Sequence, residues 1–481
     1  MSLHILSSII FFPVALALIL GVFRANLSFL KIGAISSSIF TFALSLVVMV
    51  NFNPQEGMQF IENAAWIKST GITYFIGVDY LSLVVLLLIT FLMPILYIYM
   101  WHEKRKGYWY NMMLLQTGVT GAVLSLDLIL FYLFWETMLL PIFVMIGKYG
   151  NNRHQYNSMK IVLMTILGSM SMLFSILYIG YMHFESLGFW SYALNDLSNI
   201  HFDAQTSIWL TAGFLLAFAI KIPLVGFHTW MAPAYGSAPT PAVVIMSSIM
   251  AKLGIYGIWR FGFTLFGDTL EFYAQTIIVL ALVGLLYYAI RAVTEDNLRR
   301  MFAYSSGSHL SLIALGLFLE NEYAWSGSYY FIATHALASA GIFLMIGLTY
   351  NRFKTINISE LGGLASQAPR FTFFFAFFAL SIAGLPGTGG FVAELLIIIG
   401  AFKHSMIIGI FTATTMLSAM IYIFWMLQRT LFGTPRKEAF KDLSLREMLM
   451  LLPLFILLLV SGIMPSLFTG FFETGIMEAL K

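Results

Sequence analysis

Cysteine is absent from all 481 residues. That excludes disulfides, thiolate-held iron–sulfur clusters and zinc–thiolate sites. Charge is also scarce: charged residues make up 10% of the chain and hydrophobic residues 60%. Soluble globular chains carry roughly 25% charged residues. No P-loop sequence occurs, which excludes ATP hydrolysis by this chain. No GxGxxG follows a strand-like run, so a nucleotide or flavin fold is not expected. No basic block or basic–aromatic stripe points to nucleic acid, and the net charge is only +3. No dense group of oxygen-bearing side chains suggests calcium or magnesium, and no metal site is expected.

What remains is a chain built for lipid. A bilayer core needs about 20 apolar residues per helix. On that basis the chain reads as an all-α polytopic membrane protein with fourteen spans: 4–23, 29–51, 79–100, 110–126, 128–148, 160–183, 206–229, 241–264, 273–292, 299–319, 325–350, 370–401, 405–428 and 447–471. The first run, Ile5–Val22, lacks a basic flank and reads as a span, not as a cleaved signal peptide. Two connections, Asn53–Val78 and Glu185–Thr206, are long enough to carry surface structure. One membrane domain over residues 1–481 is expected.

Lysine and arginine orient it. They collect after odd-numbered spans: Lys104, Arg105 and Lys106; Lys148, Arg153 and Lys160; Arg291, Arg299 and Arg300; Arg352, Lys354 and Arg370; Arg429, Arg436, Lys437, Lys441 and Arg446. Acids such as Glu56, Glu62, Glu185, Asp196, Asp203, Asp268 and Glu320 collect on the other side. Both termini are therefore expected on the outer face.

The stretch AFAIKIPLVGFHTWMAPAYGSAPTPAVVIMSSIMAKLGIY, Ala217–Tyr256, is unlike the rest. Lys221 and Lys252 lie inside apolar runs, where a charge costs roughly 2.5–3.5 kcal/mol on insertion scales. Pro223 and Gly226 follow Lys221, so the seventh span should break beside its charge. The twelfth is interrupted by Gly384, Pro386, Gly387, Gly389 and Gly390, beside Glu394. Two Pro/Gly-broken spans five apart point to inverted repeats, approximately 110–264 and 273–428.

Glu136, Lys221, Lys252 and Glu394 are the charges deep within spans. His309 and His335 are the intraspan histidines. Each alone has a plain structural reading, as a packed imidazole or half of an ion pair. Buried pairs stabilise poorly, however, so four charges of both signs plus two histidines favour a shared ion path. Glu136 is expected to hold Lys221 protonated by ion pairing, with approach of Lys252 releasing the proton. Histidine relays protons through its two nitrogens. Ser305, Ser306 and Ser308 could order water near His309, and Gly390 should leave room for water beside Glu394. Arg260 is expected to snorkel to the outer surface, and His228 to cap a helix end. Sodium stays open as the ion, because broken-helix carbonyls can hold it.

Several stretches carry a family resemblance: Gly77–Ile95 (GVDYLSLVVLLLITFLMPI), Asp127–Gly147 (DLILFYLFWETMLLPIFVMIG), Lys221–Trp230 (KIPLVGFHTW), APTP with AKLGIYGIWRF, Asp296–Gly316, HALASAGIFLMIG and AGLPGTGGFVAEL. Across nearly the whole chain they resemble the subunit M family of respiratory complex I (NADH–quinone oxidoreductase, type 1), which are antiporter-like membrane proteins. The resemblance implies fourteen helices, two inverted five-helix repeats and one pumped proton path. By motif, Glu136 in FWE resembles the family's helix-five glutamate, Lys221 in KIP the pumping lysine, and Lys252 in AKLG the connecting lysine. His309 and His335 resemble central relay residues. Glu394 in GGFVAEL resembles the terminal glutamate, where the sibling subunits L and N typically carry lysine. The segment Met231–Tyr235 departs from the family's usual LPDAH.

A proton-translocating, non-redox subunit is thus expected, with no cofactor of its own. FMN, iron–sulfur clusters and quinone would sit in partner subunits, and neighbouring antiporter-like subunits in the membrane arm would be its contacts. The expected location is the bacterial inner (plasma) membrane. The alternatives are a subunit of a multisubunit cation/proton antiporter or of a related ferredoxin-type complex.

Overall fold

The structure is a computed structural model that describes residues 4–151, 153–198, 200–434 and 439–468. Arg436, Lys437 and the end of the last expected span, 469–471, lie outside these. In chain order the elements are α1 (Ile5–Val22), α2 (Leu27–Asn51), β1 (Gln59–Ile67), β2 (Ile72–Val78), α3 (Tyr80–Tyr99), α4 (Lys106–Leu124), α5 (Leu128–Thr137), α6 (Leu139–Tyr149), α7 (His154–Leu187), α8 (Leu194–Leu197) and α9 (Ala204–Lys221). Then come α10 (Met231–Ser237), α11 (Thr240–Ile245), a π-helical turn Met246–Met250, α12 (Ala251–Gly257), a second π turn Ile258–Phe263 and α13 (Thr264–Val293). The chain ends with α14 (Leu298–Leu317), α15 (Glu322–Phe353), α16 (Leu364–Gln367), α17 (Pro369–Ile382), α18 (Gly389–His404), α19 (Met406–Leu427) and α20 (Leu445–Ile463).

Among the described residues, ten helices are long and apolar enough to cross a membrane. Two of the expected spans are merged in one helical run, Thr240–Val293. The expected twelfth is divided into α17 and α18. The remaining two are α4 and α14, helices rich in polar side chains. Those of α14 are enclosed by protein: Ser305, Ser306, Ser308, His309 and Ser311 are all buried. By contrast α7 exposes Leu163, Leu167 and Phe174 at 60–65%, a surface suited to lipid.

The helix starts follow local sequence. Asp79 caps α3 in a reciprocal capping box with Ser82, and Ser444 does the same for α20 with Glu447. Asn297 and Asn321 cap α14 and α15 through their side-chain oxygens. Pro369 opens α17, where its missing N–H costs nothing.

The chain packs as two compact units. The first comprises Met1–Lys221 and Leu253–Tyr273; the second comprises Ile222–Lys252 and Ala274–Lys481.

In the first unit, the connection expected to carry surface structure forms an antiparallel hairpin, β1 with β2. The all-α expectation omitted this element. Its Glu62 accepts hydrogen bonds from the Leu6 and Ser7 amides at 2.9 and 3.2 Å, satisfying free N–H groups at the start of α1. The Ser7 hydroxyl also donates to Glu62. Buried Asp127 caps α5 by accepting from the Ile129 and Leu130 amides, and its other oxygen accepts from the Thr73 amide and hydroxyl at 3.0 and 2.9 Å. One carboxylate therefore joins hairpin and helix. Helices α7 and α9 approach closely at Gly168, where an added Cβ would lie 2.9 Å from the Ala217 Cα.

Arg260 does not snorkel. Its guanidinium is buried, pairs with Asp79 and also donates to the Tyr256 hydroxyl at 3.2 Å, which donates in turn to the Val123 carbonyl. Asp79, at the start of α3, supplies a protein counter-charge before the side chain can reach solvent.

In the second unit, α15 and α18 pack through glycines. A Cβ on Gly327 would lie 2.8 Å from the Ile397 nitrogen, and one on Gly400 would lie 2.7 Å from the Ala324 nitrogen. The atypical segment Met231–Tyr235 becomes the short buried helix α10. Arg299, counted by sequence among the loop cations, is buried; it donates to the Ala238 carbonyl and the Thr240 hydroxyl, both at 2.9 Å. His228 sits edge-on to Tyr287 and Tyr288, with its Nε2 3.1 Å from the Tyr287 hydroxyl.

Asp127→Ala removes both the cap and the hairpin anchor. It should cost about 2 kcal/mol or more, read as a lowered melting temperature of the detergent-solubilised protein. Asp127→Asn, which keeps an acceptor for the cap, should lose less.

Candidate functional site

The residues singled out by sequence fall into two groups, one in each unit. In the first unit, α5 carries Trp135 and Glu136, and α9 ends on Lys221. Helix α9 stops there because Pro223 cannot continue it and Gly226 adopts φ +98°. Lys221 is buried at 3% exposure. Its ammonium lies over the Trp135 ring, 4.6 Å from the centroid. The expected direct ion pair is not formed: no ammonium–carboxylate contact within 4.0 Å joins Lys221 to Glu136. Glu136 Oε1 is buried without a hydrogen-bond partner. Sequence reasoning missed Trp135, although it precedes Glu136 in the FWE motif.

The second unit gathers Lys252, His309, His335 and Glu394, each with at most 2% of its surface exposed. Lys252 follows the π turn Met246–Met250, and its ammonium donates to the Ser247 carbonyl. A π turn shifts backbone pairing from i→i+4 to i→i+5, which explains how a carbonyl five residues back becomes available to the side chain. Nothing in the apolar pattern signals this turn. Ser247 in turn meets the Ser339 hydroxyl at 2.8 Å.

His309 on α14 and His335 on α15 meet edge-on, with ring planes 69° and centroids 5.2 Å apart. Phe331 packs edge-on against both, at 5.4 and 5.6 Å. His309 Nε2 lies 3.6 Å from Glu394 Oε1, just beyond hydrogen-bond reach. Both ring nitrogens of His309, Nδ1 of His335 and both carboxyl oxygens of Glu394 are buried without hydrogen-bond partners.

Such atoms are rare in folded proteins, because leaving a buried polar group unpaired costs roughly 1–3 kcal/mol. Here five of them cluster in one place. The arrangement sets a carboxyl group that can donate a proton against an imidazole nitrogen that can accept one, 3.6 Å apart. Among the described residues, no group of three or more His, Asp or Glu side chains is arranged to hold a metal ion.

Glu394 sits beside the break between α17 and α18. Gly384, at φ +75°, is so close that a Cβ there would lie 3.2 Å from Glu394 Oε2 and 3.1 Å from Met416 Cε. The space expected beside Gly390 is instead filled by the Ser381 carbonyl, 3.0 Å from where its Cβ would be. Of the serines near His309, Ser305 bonds the Tyr422 hydroxyl at 2.8 Å and Ser308 donates to the Leu285 carbonyl at 3.3 Å. Ser306 Oγ is buried without a partner.

Titratable side chains enclosed among apolar helices, next to two helix breaks, define the class: a multi-pass membrane protein of antiporter-like, ion-translocating architecture. The particular family follows from comparison. Residues 125–421 match the family described as NADH:quinone oxidoreductase/Mrp antiporter, TM, and the chain belongs to that family. Among curated relatives, NADH-quinone oxidoreductase subunit M of Rhodobacter capsulatus is 32% identical over 99% of this chain and 96% of its own length. NADH-ubiquinone oxidoreductase chain 4 of Marchantia polymorpha is 31% identical over 99% and 97%.

Solved structures share the fold. A chain of respiratory complex I from Thermus thermophilus matches with TM-score 0.89 and 24% identity, over 99% of this chain and 100% of that one. A chain of the Mrp complex from Dietzia sp. matches with TM-score 0.89 and 20% identity, over 100% and 98%.

Gly384→Ala and Gly387→Ala should separate backbone strain from crowding of the carboxylate. Both residues have positive φ, but only at Gly384 would a Cβ meet neighbours within 4 Å. Each should lose roughly 1–2 kcal/mol from strain. Gly384→Ala should lose more, seen as a lower melting temperature than that of Gly387→Ala.

Proposed function

We propose that this chain is a proton-translocating subunit of a complex I-type NADH:quinone oxidoreductase. The observation that carries the proposal is the cluster of His309, His335 and Glu394, fully enclosed and short of hydrogen-bond partners in the same unit as Lys252. Family membership and the subunit M relatives support the same reading. The chain itself carries no redox centre in this reading. It moves charge while partner subunits, holding FMN, iron–sulfur clusters and quinone, carry out the oxidation. Neighbouring antiporter-like subunits would flank it in the membrane arm.

Lys221 is the central carrier, and Glu136 modulates its charge. Lys252, held at the Ser247 carbonyl, takes the proton onward. His335 and His309 relay it through their paired rings. Glu394 is the terminal group, from which the proton leaves to the outer side or passes its influence to the neighbouring subunit. An approach of about half an ångström, or one bridging water, makes the His309–Glu394 contact competent for proton transfer. Fourteen crossings, built as two inverted repeats over approximately 110–264 and 273–428, complete the reading, with both termini outside a bacterial inner membrane.

A subunit of a cation/proton antiporter is the second reading. It is supported by the equal fold likeness to a chain of the Mrp complex. Glu136 within FWE and an acid at Glu394 favour the first.

In membrane vesicles containing the whole complex, Lys221→Ala should abolish redox-driven proton pumping while the complex stays assembled on a native gel. Normal pumping by an assembled variant overturns the carrier role. The cysteine-free sequence permits a direct test of orientation. A membrane-impermeant maleimide should label Asp203→Cys from outside intact cells and Lys104→Cys only after lysis.

A further inference from the structure

We propose that Trp135 is a positioning residue, whose indole face gives the Lys221 ammonium a second resting place in competition with Glu136. The inference rests on reading Lys221 as the proton carrier, and it concerns what sets that carrier's position.

The ammonium lies 4.6 Å from the Trp135 ring centroid, within the roughly 6 Å over which a cation is drawn to an aromatic face. Both side chains are buried: Trp135 is 1% exposed and Lys221 is 3%. Cation–π attraction is strongest in such a desolvated setting, and tryptophan presents the best ring for it. Packing holds the indole in place. Phe131 lies 5.5 Å away on the same helix, and Phe218 meets it edge-on at 5.9 Å from α9, the helix that carries Lys221. The indole Nε1 is buried without a hydrogen-bond partner, so no polar bond dictates the ring's angle.

Trp135 and Glu136 are consecutive on α5, so their side chains leave the helix about 100° apart. The long, flexible lysine side chain can reach toward one or the other. In the structure it is on the ring, and no contact within 4.0 Å joins it to the carboxylate.

A carrier needs this competition. A lysine bound only by a carboxylate in a low-dielectric site forms a tight pair that is slow to part. A neutral face that attracts the ammonium without accepting its proton keeps the charge available. If Trp135 only fills space, the ring's electron density should be irrelevant.

The test replaces Trp135 alone, by nonsense suppression, with mono-, di-, tri- and tetrafluorotryptophan in the assembled complex. Fluorination weakens the negative ring face at nearly constant shape. Because the indole N–H makes no hydrogen bond, its changed acidity adds no competing effect. Redox-driven pumping should fall step by step along the series, by about tenfold in all. Trp135→Leu should lie at or below the end of the series, and Trp135→Phe between the extremes. A flat or rising series in assembled complexes overturns the proposal and leaves Trp135 as packing. Lys221→Ala is measured alongside. If that variant pumps normally, the carrier reading itself fails, which separates the two failures.

Discussion

Enclosing a charge among apolar helices has few solutions, and most of this structure reflects them. A lysine or arginine removed from water must find a counter-charge, a backbone carbonyl or an aromatic face, or else lose its charge. The first three appear here. Arg260 has Asp79 as its counter-charge, Lys252 takes the carbonyl of Ser247, and Lys221 takes the face of Trp135. The three differ in how firmly they hold. Arg260 is bound by a carboxylate and a tyrosine, and ties α3 to the second π turn. The two lysines are held by neutral groups, which attract an ammonium without neutralising it. That contrast separates a structural cation from candidate carriers.

The helix breaks follow from the same constraint. A continuous helix satisfies its own backbone and offers nothing to a side chain in its interior. After Lys221 the chain abandons the helix, and at Ser247 a π turn loosens it. Between Ile382 and Gly389, two glycines at positive φ let the backbone turn beside Glu394. Gly384 is both the turn and the wall of the carboxylate's site, so conformation and chemistry coincide in one residue. Close glycine contacts between α15 and α18 fix the elements that carry His335 and Glu394.

The bond-poor cluster at His309, His335 and Glu394 differs from hydrogen-bonded networks elsewhere in the chain. Glu62, Asp127 and Arg299 are thoroughly hydrogen-bonded and join elements together. A group that must gain and lose a proton cannot be fully committed in one state without penalising the other. The satisfied groups contribute to stability, whereas the unpaired atoms of His309, His335 and Glu394 are open to a proton under the proposed function.

Much of this was legible in the chain. Apolar runs marked the helices, and the intraspan charges marked the candidate path, because an ion in lipid is too costly to be incidental. Pro223 and Gly384 marked the breaks, because their backbone preferences are local. What sequence could not supply is which partner each charge finds. Snorkelling of Arg260 and direct pairing of Glu136 with Lys221 were reasonable by type, but Asp79 lies 181 residues from Arg260 and Trp135 competes within the same motif. The π turn before Lys252, the hairpin anchored at Asp127 and the Ser381 carbonyl filling the space at Gly390 are tertiary results. Local propensity and burial cost are properties of the residues themselves, and so could be read directly. Partner choice depends on distances between segments far apart in the chain, which only the folded protein determines.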